Sequence, residues 1–140
     1  MTKIPKANLF DAIPNELSQE WFQTLLDSAD VKIERIVSKG HTSPAGFWYD
    51  QEWDEWVLLL KGSAGLRFEG QDEIVTLMPG DWILIPSKVK HRVDWTDEHV
   101  ETVWLAIHVY GGREQRELKS SKSRGRNRRP GIIRKPLQGK

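Results

Sequence analysis

Between Val31 and Tyr110 the apolar residues fall into short runs, each cut off within about eight residues by Gly, Pro or Asp. Runs of that length, stopped by turn-forming residues, suit strands and are too short for most helices. "VKIERIVS" carries Val31, Ile33, Ile36 and Val37, and "EWVLLLKG" is strongly apolar. "SAGLRFEG" sets Ala64, Leu66 and Phe68 against Arg67 and Glu69. "EIVTLMPGD" stops at Pro79-Gly80 and is followed by "WILIP", "HRVDWTD" and "VWLAIHVY". Many short strands at this spacing predict an antiparallel sandwich or barrel.

The segments flanking this region read differently. In "NELSQEWFQTLLDSAD", Leu17, Trp21 and Leu25 recur every fourth residue, which predicts a short amphipathic helix in an N-terminal arm spanning residues 1–30. The barrel is expected over 31–112. Residues 113–140 hold eleven Lys/Arg against two Glu, while the rest of the chain holds ten bases against eighteen acids. The formal charge of +1 therefore hides an acidic body and a basic tail. The tail is poor in apolar residues and reads as disordered. Its charge makes nucleic acid or another polyanion an expected partner, although it has no aromatic residue to stack on bases. The 140 residues contain no cysteine, so disulfides, thiolate metal sites and cysteine nucleophiles are excluded. No apolar run approaches the ~18 residues of a membrane-spanning helix, and the first residues lack a signal-peptide core. A cytoplasmic protein with no membrane partner is the expectation.

Two spacings carry more information. Glu55 is followed by "WVLLLK" and Gly62; "GDWILIPSKVKH" places Gly80, Pro86 and His91 five or six positions apart. In this order they resemble the paired motifs of the cupin superfamily, over roughly residues 31–110. The resemblance implies an all-β, cupin-type jelly-roll β-barrel, a small-molecule ligand inside it and often a homodimer. It also implies a divalent metal held by three histidines and a glutamate. Of those ligands the sequence keeps Glu55 and His91. The histidine pair that precedes the glutamate is replaced by Tyr49 and Gln51, or by Trp48 and Asp50, depending on the spacing counted. Lys88 stands where the second motif usually has a glycine.

Strand alternation puts Tyr49, Gln51, Trp53, Glu55, Val57 and Leu59 on one face. Two chemistries follow. Gln51, Glu55 and His91 form a weak metal set whose oxygen-rich donors suit manganese or iron, with zinc also admitted. Alternatively, a metal-free organic-ligand pocket uses Tyr49, Gln51 and Trp53, with Glu55 and His91 as catalytic groups. The resemblance admits a dioxygenase or an isomerase or epimerase, and equally a non-enzymatic binding or regulatory module. His41 and His108 are further imidazoles that a metal site could recruit. In the last strand, however, apolarity marks Val103, Leu105, Ile107 and Val109 as the inward set, which turns His108 outward. Glycine-rich phosphate loops and a nucleophilic-serine elbow are absent.

Overall fold

The computed structural model describes residues 2–111, so the basic tail lies outside the described residues. Among the described residues there are eight strands: β1 (Trp21–Asp27), β2 (Val31–Ser38), β3 (Asp54–Lys61), β4 (Ala64–Phe68), β5 (Val75–Leu77), β6 (Trp82–Ile85), β7 (His91–Thr96) and β8 (Thr102–Val109). They form a five-stranded sheet in the order β1-β2-β8-β3-β6 and a three-stranded sheet in the order β5-β4-β7. Every ladder is antiparallel. The core lies between the sheets: Val57, Leu59, Ile85, Trp104 and Ala106 of the larger meet Ala64, Leu66, Leu77 and Val93 of the smaller. The all-β architecture agrees with the expected barrel.

The expected N-terminal helix is not formed. Its residues are β1, which pairs with β2 from Trp21↔Val37 to Asp27↔Lys32, with a slip between Thr24 and Leu26. Trp, Phe and Thr favour a pleated strand, and pairing satisfies backbone groups that β2 would otherwise leave open on that side. The four-residue stripe therefore makes no buried face: Leu25 and Leu26 are 43% and 49% exposed. Phe22 instead packs against the core.

The last strand also faces the opposite way from the expectation. Trp104, Ala106, His108 and Tyr110 are buried, and the first two belong to the core cluster. Of the expected inward set, Val103 is fully buried, but Leu105, Ile107 and Val109 occupy the outer face of the large sheet, half-buried. Apolarity misleads because both faces are apolar. The outer face is partly covered near β2, where Arg35 donates to the carbonyls of Leu9 and Asp11, both at 2.7 Å, and holds the N-terminal arm. Farther along that face, Trp82 and Leu84 are exposed, and Trp82 lies against Trp56.

Gly62 ends the first motif at φ +85°, where an added Cβ would collide with Thr102. That requirement explains a glycine there. If β1 is a surface strand, Leu25→Ala should cost about 1 kcal/mol or less. Leu59→Ala, at a fully buried position, should cost about 2–5 kcal/mol. Urea unfolding of both variants checks this; comparable losses would restore a packed helical face.

Candidate functional site

Glu55 lies one residue into β3 and stands in register with Ile85 of β6 and His108 of β8. His91 is the first residue of β7 in the other sheet. An isolated bridge joins it to Tyr49: the Tyr49 amide donates to the His91 carbonyl at 2.7 Å, and the reverse bond is 3.1 Å. Their rings stack with centroids 5.5 Å apart. His91 Nδ1 lies 3.0 Å from the Val89 carbonyl, which only accepts, so this nitrogen carries hydrogen. Nε2 therefore faces Glu55 Oε1 at 3.9 Å, beyond hydrogen-bond length. The same carboxylate oxygen accepts an N–H from Gln51 at 2.8 Å.

These groups border a partly open pocket. Tyr49, Glu55 and His91 line it with the apolar side chains of Phe22, Ile36, Val57, Leu66, Ile85, Val93 and Trp104. Gln51 acts from beside it through Glu55. Trp53, expected in the pocket, is buried elsewhere because a bend at residues 52–53 breaks the alternation before β3 begins. Its indole N–H donates to His108 Nδ1 at 2.9 Å, so His108 Nε2 carries the hydrogen and donates to Glu34 Oε1, also at 2.9 Å. His108 thus points inward yet is engaged in a separate buried network.

Sequence reasoning missed Glu20. This carboxylate lines the cavity, is 8% exposed, and accepts the Ser38 hydroxyl at 2.8 Å; Ser38 in turn accepts the Trp104 indole N–H at 3.2 Å. Nothing in its local sequence marks it, since it enters the site through the pairing of β1 with β2.

The donors present do not fit the family's four-ligand metal set. Glu55 and His91 converge, but Gln51 presents its N–H to Glu55. His41 accepts the Lys39 amide at 2.8 Å, and its burial lowers its pKa against the raising effect of bonds at Leu17 and Ser18. His99 sits in an exposed turn. Among the described residues no three His, Cys, Asp or Glu side chains gather as a metal-binding group.

Two backbone devices hold the site. Arg92 donates to the carbonyls of Ser43, Pro44 and Phe47 and to Asp94, fixing the loop that leads to Tyr49. Burial alone would raise the Asp94 pKa, but bonds from Arg67 and Arg92 outweigh it and leave it lowered. Lys88, in the glycine position of the motif, keeps the left-handed conformation at φ +69°, and its amide bonds the Gln51 carbonyl at 2.6 Å. Lys88→Gly should therefore raise stability by up to about 1 kcal/mol, relief of side-chain strain exceeding the added chain entropy. A denaturant midpoint unchanged or lowered would contradict this.

No protein-family model and no curated protein matches the chain. Solved structures do. A candidate mannose-6-phosphate isomerase from Ralstonia eutropha JMP134 is 47% identical, with TM-score 0.73, over 76% of this chain and 98% of that one. A cupin superfamily protein from Desulfitobacterium hafniense DCB-2 is 21% identical, with TM-score 0.58, over 69% and 83%. An RmlC-like cupin family protein from Methanocaldococcus jannaschii, with a double-stranded β-helix fold, is 18% identical, with TM-score 0.57, over 77% and 93%. With two sheets closed around a Glu55–His91 cavity and these likenesses, the chain belongs to the cupin superfamily.

Proposed function

We propose that the protein binds a small organic molecule in the cavity and that Glu55 and His91 move a proton on it, in the manner of an isomerase. The observation that carries this reading is the 3.9 Å approach of His91 Nε2 to Glu55 Oε1 inside a largely apolar cavity. An imidazole held through Nδ1–H turns Nε2 toward the cavity, and the neighbouring carboxyl offers a second station for the same proton. Such a pair suits transfer between adjacent carbons of a hydroxycarbonyl compound. The base takes the proton from the carbon beside the carbonyl, an enediol forms, and the proton returns to the former carbonyl carbon. The hydroxyl proton shifts between the two oxygens. The likeness to the R. eutropha candidate isomerase supports aldose–ketose chemistry of this kind. Tyr49 would position the imidazole through its stacked ring and the paired backbone bonds.

The reaction is read out by deuterium incorporation from D2O into free aldoses and ketoses, followed by NMR. Wild-type protein should catalyse exchange. Glu55→Gln and His91→Asn should each slow it by about 10²–10⁴-fold with the melting temperature preserved. Ligand binding without exchange in the wild type would leave a binding protein and remove the isomerase.

No step is routed through a metal, because the donor set does not match. Elemental analysis of protein produced with manganese, iron and zinc supplied should find well under one ion per chain. A stoichiometric ion that disappears from both Glu55→Ala and His91→Ala would replace proton transfer by a metal centre on these residues.

A further inference from the structure

Gln51 lies between the Tyr49–His91 bridge and the start of β3. Its main chain is anchored, because the Lys88 amide donates to its carbonyl at 2.6 Å. The same turn reaches both members of the Glu55–His91 pair. The Ser87 amide donates to Asp54, the neighbour of Glu55, at 2.8 Å, and the Val89 carbonyl accepts from His91 Nδ1 at 3.0 Å. From that anchored backbone the Gln51 side chain donates to Glu55 Oε1 at 2.8 Å. This is also the oxygen that faces His91 Nε2, at 3.9 Å. A carboxylate and an imidazole in a largely apolar space attract each other strongly once a proton sits on the ring. Roughly 1 Å of travel would bring them to hydrogen-bond length. A pair closed in that way shares one proton between its members and leaves no gap through which a ligand's proton could reach either. The bond from an anchored side chain restrains where Oε1 sits and opposes that travel.

We propose that Gln51 is a positioning residue that holds the Glu55 carboxylate short of a direct bond to His91 and so keeps the pair open for a ligand. The proposal rests on the reading of Glu55 and His91 as the proton-transfer pair, and it adds the residue that sets their spacing. Glu55 takes part in further contacts, and the restraint from Gln51 acts alongside them. Tyr49 and Gln51 then divide the work. Tyr49 holds the imidazole through its stacked ring and its backbone bridge, and Gln51 holds the carboxylate.

Gln51→Met keeps the length of the side chain and removes its N–H donors. Gln51→Leu removes the same donors and serves if the first variant does not fold, as melting temperatures will tell. Crystal structures of wild type and variant read the spacing: Nε2 and Oε1 should close from 3.9 Å to about 2.8 Å when the donor is lost. Deuterium exchange into aldoses and ketoses separates positioning from binding. The variant's kcat should fall by about 10²-fold, the scale of a ~1 Å misplacement, while KM stays within about twofold. Wild-type spacing retained in the variants overturns the proposal. So does a shortened spacing with kcat unchanged, and so does a raised KM with kcat unchanged, which would make Gln51 a ligand-binding residue. Absence of exchange in the wild type removes the proton-transfer reading and the positioning role with it, whereas the crystallographic distances still show whether Gln51 sets the spacing.

Discussion

The site depends on the two-bond bridge between Tyr49 and His91. It ties the segment leading into β3, in the large sheet, to the start of β7, in the small one. Neither sheet alone contains both Glu55 and His91. Once the bridge forms, the backbone of one sheet fixes the imidazole and the other fixes the carboxylate. Their separation is then a property of how the sheets close, not of either side chain's freedom. Val89 completes the arrangement by taking the Nδ1 hydrogen and leaving Nε2 toward the cavity.

Burying polar groups in such a space is costly unless they find partners. Glu55 has Gln51, and Glu20 has Ser38, itself bonded by Trp104. Glu34, His108 and Trp53 form a second chain deeper in the protein. These two polar systems share β8, where Trp104 serves the cavity and His108 serves the inner network. Glu55 and His108 are register partners on adjacent strands; Glu55 accepts from Gln51, and His108 bonds Trp53 and Glu34. His91 lines the cavity.

Much of this was legible in sequence where a residue's role is local. Gly62 must be glycine because of its left-handed backbone and its closeness to Thr102, so its distance from Glu55 is a reliable marker. Lys88 shows that the backbone shape of a motif can outlast the residue type that usually supplies it. Trp53 shows the reverse: alternation was extended across a bend, and one kink redirected the side chain. In β8 both faces are apolar, so hydrophobicity could not say which was inside.

The sequence by itself determined the alternation of short strands, the positions of Glu55 and His91, and the loss of the paired histidines. These follow from turn chemistry and spacing along a continuous chain. Tertiary structure decided that Trp21–Asp27 is a strand, that β8 turns His108 inward, and that Glu20 joins the cavity. The physical reason is common to all three. A four-residue periodicity or an apolar count describes a segment in isolation, whereas backbone pairing with a distant strand sets which side of it meets the core. Ser38 lies eighteen residues from Glu20 in sequence, and β2 must pair with β1 before their side chains can meet.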